Sequence, residues 1–135
     1  MPYRLVAFDI DGTIRSNNYP MSKRTRTVID KIKSRGTVVT LVTGRTFKSA
    51  VNATNSLKLT SPIITFQGAH IAHPQTGDTL WHKCLSADMT LLALDALKTW
   101  DQEILAYLGN EVYANKMTHV NLRHVRKYYQ HFGCV

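Results

Sequence analysis

The chain has 135 residues, 44% of them hydrophobic and 19% charged, and a formal charge of +8. This composition supports a buried core and excludes wholesale disorder. No apolar run reaches the roughly 18 residues that span a bilayer, and the short one near Met1 lacks the cleavage site of a secretion signal, so a cytoplasmic protein without a membrane partner is expected.

Leu5-Val6-Ala7-Phe8-Asp9-Ile10 is a continuous apolar run that ends in the turn cluster Asp11-Gly12-Thr13. That pattern predicts a strand buried on both faces, as in a parallel sheet. Ser16 to Pro20 is loop-like. Ser22 is a candidate N-cap for a helix to Arg35, with Val28, Ile29 and Ile32 on one face and Gly36 as its stop. Thr37 to Val42 is a second β-branched strand, ending in Thr43-Gly44-Arg45, and a helix from Thr46 to Leu57 follows. After Pro62, Ile63 to Phe66 predicts a third strand, closed by Gln67-Gly68-Ala69.

Strand–helix–strand–helix–strand with short connections argues for an α/β fold, an incomplete Rossmann-like parallel sheet with right-handed crossovers. Ligands in such sheets sit at the carboxyl ends of the strands, so the turns at residues 9–13, 43–45 and 67–69 converge on one edge. From residue 70 the texture changes. Ile71-Ala72 and Thr79 to His82 predict a β-hairpin, and Ser86 caps a helix to about Trp100. Leu91, Leu92, Leu94 and Leu97 are expected in its core-facing surface. Ile104 to Leu108 and Glu111 to Ala114 flank Gly109-Asn110 as two short strands, and Thr118 to Gln130 reads as a helix. Residues 1–69 are thus one α/β unit and residues 70–135 a second, α+β unit.

Much of the charge lies in Lys23, Arg24, Arg26, Lys31, Lys33 and Arg35, opposed by Asp30 alone. A solvated helix face and a polyanion-binding patch both fit this cluster. The aromatic residues do not interleave with it, which disfavours nucleic acid. Cys84 and Cys134 lack metal-ligand spacing and read as free thiols. His70 and His73 share the hairpin, but no carboxylate or thiol set completes a metal site around them.

Asp9 and Asp11 stand two residues apart at a strand mouth. Paired carboxylates there repel unless a cation is shared, and Mg²⁺ prefers one or two carboxylates with water and phosphate oxygens. Gly12 permits a sharp turn that brings main-chain N–H groups near an anion. Asp9-x-Asp11-Gly12-Thr13 after an apolar strand resembles the first motif of the haloacid dehalogenase superfamily. Val42-Thr43-Gly44-Arg45 resembles the second. Their spacing is similar to the Cof-type phosphatase branch, which usually carries Asn-Gly-Ala where Gln67-Gly68-Ala69 stands here.

This resemblance, over about residues 3 to 70, implies a Mg²⁺-dependent phosphomonoester hydrolase acting on a small phosphorylated metabolite of sugar-phosphate type. It implies Asp9 as the nucleophile that forms an aspartyl-phosphate, and Asp11 as general acid and then base. It implies Mg²⁺ on Asp9 and the main-chain carbonyl of Asp11. The Thr43 hydroxyl and N–H groups near Gly12 and Gly44 would hold phosphoryl oxygens. Arg45 would reach substrate or a cap domain, and residues 70–135 would be a partial α+β cap within which the chain stops. The family also uses a lysine after the cap and a later acidic pair that completes the metal site, and nothing in the chain matches either. A second reading is therefore a weakly active or inactive member that keeps Mg²⁺ and phosphate affinity and self-associates through the edge of its incomplete sheet. A third is a basic polyanion-binding module.

Overall fold

The computed structural model describes residues 3–16, 19–100, 103–109, 111–116 and 132–134, the last three by their main chain alone. The chain divides into two compact units, residues 1–83 and 84–135.

In the first unit, β1 (Leu5–Phe8) pairs in parallel with β2 (Val38–Leu41), Leu5 opposite Val38 and Phe8 opposite Leu41. The connection between them is α1 (Lys23–Ser34). Ser22 caps it as expected, its Oγ accepting from the Thr25 N–H at 3.0 Å. After β2 comes α2 (Phe47–Leu57), where the Thr46 hydroxyl accepts from the Ser49 N–H. β3 (Ile63–Thr65) joins the end of β2 through a parallel bridge between Val42 and Ile64. The alternation read from the sequence is thus the observed one.

The hairpin is present as β4 (His70–Ala72) and β5 (Thr79–His82). Its first strand runs antiparallel to β3, with Ile63 opposite Ala72 and Thr65 opposite His70. Those ladder bonds satisfy the second edge of β3 and tie the hairpin to the first unit. The division between the units therefore falls after Lys83, not after Ala69 where the sequence texture changes.

Ile10, Ile29, Leu41, Ala50 and Ile63 form the buried centre of this unit. The apolar run of β1 predicts two covered faces, but the strand alternates, with Leu5 and Ala7 exposed and Val6 and Phe8 half-buried. α1 packs against both α2 and β2, whereas Leu5 and its ladder partner Val38 remain 56% and 47% exposed. Part of the basic cluster serves the fold. Lys33 donates to the Leu57 carbonyl at 2.6 Å and pairs with Asp30 at 2.9 Å, and Arg26 reaches the Ser56 carbonyl at 3.4 Å. Cations there oppose the negative end of the α2 dipole.

The second unit contains α3 (Ala87–Lys98), capped by Ser86, and the antiparallel pair β6 (Leu105–Leu108) and β7 (Glu111–Ala114). β8 (Phe132–Cys134) runs parallel to β7. A three-residue strand containing glycine carries too little pattern to be read in advance, and none is expected there from the sequence. The helix expected over Thr118 to Gln130 lies outside the described residues. Val112 and Ala114 of β7 are buried. Leu91 and Leu92, expected in the core, are 66% and 63% exposed. Consecutive helical residues sit about 100° apart and cannot share one narrow buried stripe. Among the described residues no helix is long and apolar enough to cross a membrane.

Ile63 has no exposed surface while Leu5 is more than half exposed. Ile63→Ala is expected to lower stability by about 2–5 kcal/mol, and Leu5→Ala by less than about 1 kcal/mol, in urea denaturation of the two variants against the parent chain.

Candidate active site

The parallel register decides which side chains meet. With Phe8 opposite Leu41, Asp9 leaves β1 level with the end of β2, where Thr43 begins the next turn. The Val42 N–H donates to the Phe8 carbonyl and the Thr43 N–H to the Ile64 carbonyl, both at 2.9 Å. The ends of all three strands are therefore stitched together at one edge, as ligand-binding α/β sheets require.

Asp9 is exposed while its neighbour Ile10 is fully buried. That alternation anchors the loop and leaves the Asp9 carboxyl on the surface. The loop closes through the Arg15 N–H donating to the Ile10 carbonyl at 2.9 Å and the Gly12 N–H donating to the Arg15 carbonyl at 2.8 Å. Gly12 has φ of +82°, a conformation only glycine adopts readily. Its own N–H serves the turn in this conformation.

Asp11 and Arg45 join the first loop to the second. Arg45 Nε donates to Asp11 Oδ2 and a terminal Arg45 nitrogen to Asp11 Oδ1, both at 2.7 Å. This is the two-pronged arrangement in which guanidinium and carboxylate fit best. Arg45 is only 9% exposed. The guanidinium of Arg45 thus binds the neighbouring loop. Thr43 is 4% exposed, and its Oγ1 accepts from the Arg45 N–H at 3.3 Å. A hydroxyl that accepts one bond retains its proton for donation elsewhere.

The third loop is the part that sequence reasoning left nearly blank. Phe66 and Gln67 both have positive φ, +51° and +55°, and Gly68 follows at +98°. Left-handed backbone costs a non-glycine residue about 1–2 kcal/mol, so two in succession mark a conformation held by its surroundings. What holds it is the second loop: the Phe66 N–H donates to the Arg45 carbonyl at 2.9 Å and the Gln67 N–H to the Thr43 carbonyl at 3.3 Å. Gly44 is bracketed by these bonds. A Cβ on Gly44 would overlap the Gln67 carboxamide, with Cδ at 2.9 Å. Replacement of the family's usual asparagine by Gln67 was the only signal in the sequence.

Beside this loop, His70 packs edge-on against Phe47, Phe66 and His82. Its ring nitrogens lie 3.2 Å from Thr65 Oγ1 and 3.1 Å from Thr79 Oγ1. Burial, and then the nearby His82, hold the His70 pKa below its ordinary value. Among the described residues no cluster of three or more His, Cys, Asp or Glu side chains forms.

The donors that could hold a cation are the Asp9 carboxylate and the main-chain carbonyl of Asp11, since the Asp11 carboxylate is engaged by Arg45. One carboxylate with hard oxygen donors and open solvent fits Mg²⁺, which keeps several waters and shares phosphate oxygens, better than a softer metal.

One edge of the parallel α/β unit thus presents an exposed aspartate, a second aspartate and a buried threonine on neighbouring loops. The sequence profile of the haloacid dehalogenase-like hydrolases matches residues 6–134, and the chain belongs to that family. It is 33% identical over 116 residues to the 5-amino-6-(5-phospho-D-ribitylamino)uracil phosphatase YitU of Bacillus subtilis, covering 83% of this chain and 42% of that protein. It is 29% identical over 108 residues to the HMP-PP phosphatase of Shigella flexneri, covering 80% of this chain and 39% of the other. A haloacid dehalogenase-like hydrolase structure from B. subtilis superposes with a TM-score of 0.82 at 18% identity, covering 98% of this chain and 54% of that one. The chain thus spans about half, or less, of the length of the relatives it matches.

Arg45→Met would leave the partly buried Asp11 carboxylate without its guanidinium, and a loss of about 1–3 kcal/mol is expected in urea denaturation. For His70 the sign follows from its lowered native pKa. The unfolded chain binds the proton more readily, so the stabilisation is complete above the ordinary value of 6.5 and declines as pH falls toward the native value. The melting temperature should drop between about pH 7.5 and pH 5, and His70→Gln should flatten that dependence.

Proposed function

We propose that this chain carries the phosphoryl-transfer half-site of a Mg²⁺-dependent phosphomonoester hydrolase of the Cof-type branch, acting on a small phosphorylated metabolite. The observation that carries this reading is the Asp11–Arg45 pair, which locks the aspartate loop beside the Thr43 loop while leaving Asp9 exposed at the same edge.

In this reading Asp9 attacks phosphorus, the P–O bond to the leaving alcohol breaks, and the alcohol takes its proton from Asp11. Asp11 then removes a proton from water, which attacks the aspartyl-phosphate and returns Asp9 as carboxylate and free phosphate. The two-pronged contact with Arg45 presents Asp11 as an acceptor, which suits the second step. In the first step Asp11 donates, and Arg45 loosens its grip. The Thr43 hydroxyl and the Gly44 N–H hold phosphoryl oxygens, and Gly12 closes the turn that shapes the loop. The Asp9 carboxylate and the Asp11 main-chain carbonyl would hold Mg²⁺, which would supply charge neutralisation at the phosphate. In this reading residues 84–135 belong to a partial cap domain. The printed activities of the two phosphatase relatives accord with this assignment, and a cytoplasmic location is part of the same proposal.

A second reading is favoured by one observation. Among the described residues β1 pairs on one side only, and Leu5 and Val38 are exposed beside it. An open strand edge of this kind supports self-association, with Mg²⁺ and phosphate affinity kept and turnover weak. Two members of the basic cluster, Lys33 and Arg26, bond to main-chain carbonyls at the end of α2, and nucleic acid stays outside this proposal.

Asp9→Asn keeps the size and exposure of the side chain but removes the nucleophile. It is expected to lower Mg²⁺-dependent release of phosphate from small phosphomonoesters by at least about a thousandfold, and EDTA should do the same to the parent chain. Equal rates in the parent and the variant would rule out Asp9 as the nucleophile. No turnover by the parent, together with concentration-dependent dimerisation in sedimentation, would favour the second reading.

A further inference from the structure

Gln67 lies in a place where the fold accepts strain to keep a particular side chain. Its backbone is left-handed, with φ of +55°, where glycine or asparagine would sit more easily. Its main-chain N–H, with that of Phe66, fixes the carbonyls on both sides of Gly44. Its side chain lies over Gly44, where a Cβ would meet the carboxamide and push it aside. Yet Gln67 is exposed, and among the described residues its carboxamide makes no hydrogen bond. Two N–H donors thus lie at the mouth of the second loop with no protein partner among the described residues. A purely structural role would be served at lower strain by glycine, and it would not hold exposed donors against the loop apex.

We infer that Gln67 is a further ligand-contacting residue of the site, whose carboxamide Nε2 donates to an oxygen of the bound phosphoryl group or of its ester. The inference rests on the proposed phosphate role of Thr43 and Gly44 and extends it to the third loop. A neutral amide suits this position. It adds a directional donor to the Gly44 N–H without competing with Asp9 for the cation, as a lysine or arginine would. Its exposure also sets it at the boundary between the transferred group and the rest of the substrate. Changes of length at residue 67 therefore bear on which ester fits.

The test uses the full chain with Mg²⁺ and orthovanadate, a phosphate mimic, followed by ¹⁵N-resolved NMR. The side-chain NH₂ signals of Gln67 and the amide of Gly44 are expected to shift together with one dissociation constant. Gln67→Gly should raise the unfolding midpoint, because it relieves the left-handed backbone, and should weaken vanadate binding about ten- to a hundredfold, the worth of one hydrogen bond to a charged group. Gain in stability with loss of binding is a combination that a merely structural residue would not produce. Gln67→Asn, with a shorter amide in the same backbone, should fall between the two. If Gly44 responds to vanadate while the Gln67 NH₂ signals stay fixed and Gln67→Gly binds as well as the parent, this inference fails and the proposed function stands. If the parent chain shows no vanadate-dependent shift at Gly44, both fail together.

Discussion

The parallel register between β1 and β2 is the constraint on which the site depends. Side chains in a strand alternate with a period of two, so a slip of one residue would turn Asp9 inward and bury it, and would expose Ile10. In the observed pairing Ile10 and Leu41 have no exposed surface while Asp9 is exposed. The same apolar packing that stabilises the sheet thus puts a carboxylate at its edge. No separate force is needed to place Asp9, and the remaining interactions refine what the register provides.

Two refinements stand out. The Asp11–Arg45 pair spans the first and second loops, and main-chain bonds from Phe66 and Gln67 span the second and third. Each loop is short and polar and could adopt several conformations alone. Cross-bonding reduces that freedom before any ligand arrives, and preorganised donors are what phosphoryl transfer needs most. The left-handed backbone at Phe66 and Gln67 is offset by this bonding and by the β3–β4 ladder on either side. Two left-handed residues in succession occur at this loop, while a single one, Lys58 with φ of +50°, ends α2.

Most of the first unit was legible in the sequence because its signals are local and redundant. Ser22 and Thr46 are caps in the expected places, and each β-branched run ends at a glycine-containing turn. Asp9, Asp11 and Thr43 could be singled out because chain order in an α/β unit fixes which loops share an edge. What escaped were properties that arise only when distant segments touch. The binding of Arg45 to Asp11 joins residues 34 positions apart, and nothing near either one announces it. The positive φ of Phe66 and Gln67 is set by carbonyls of the second loop, against the preference of both residues. The hairpin was recognised, but its membership in the first unit depends on pairing with β3, which texture does not report. In the second unit the leucines of α3 looked like core by composition, yet their angular spread leaves three of them, Leu91, Leu92 and Leu94, exposed.

Convergence of three loops on one cation and phosphate is the central claim, and paramagnetic broadening tests it without relying on turnover. Mn²⁺ replaces Mg²⁺ at oxygen sites and broadens nearby amide signals. Substoichiometric Mn²⁺ added to the ¹⁵N-labelled chain is predicted to erase the amides of residues 9–13 and 43–45 first, then those of 66–69, and to leave α1 and α3 sharp. The same addition to the Asp9→Asn chain should erase none of them selectively. Broadening centred on the hairpin histidines or scattered over the acidic residues of the second unit, with the amides of Asp9, Thr43 and Gly44 intact, would contradict the account.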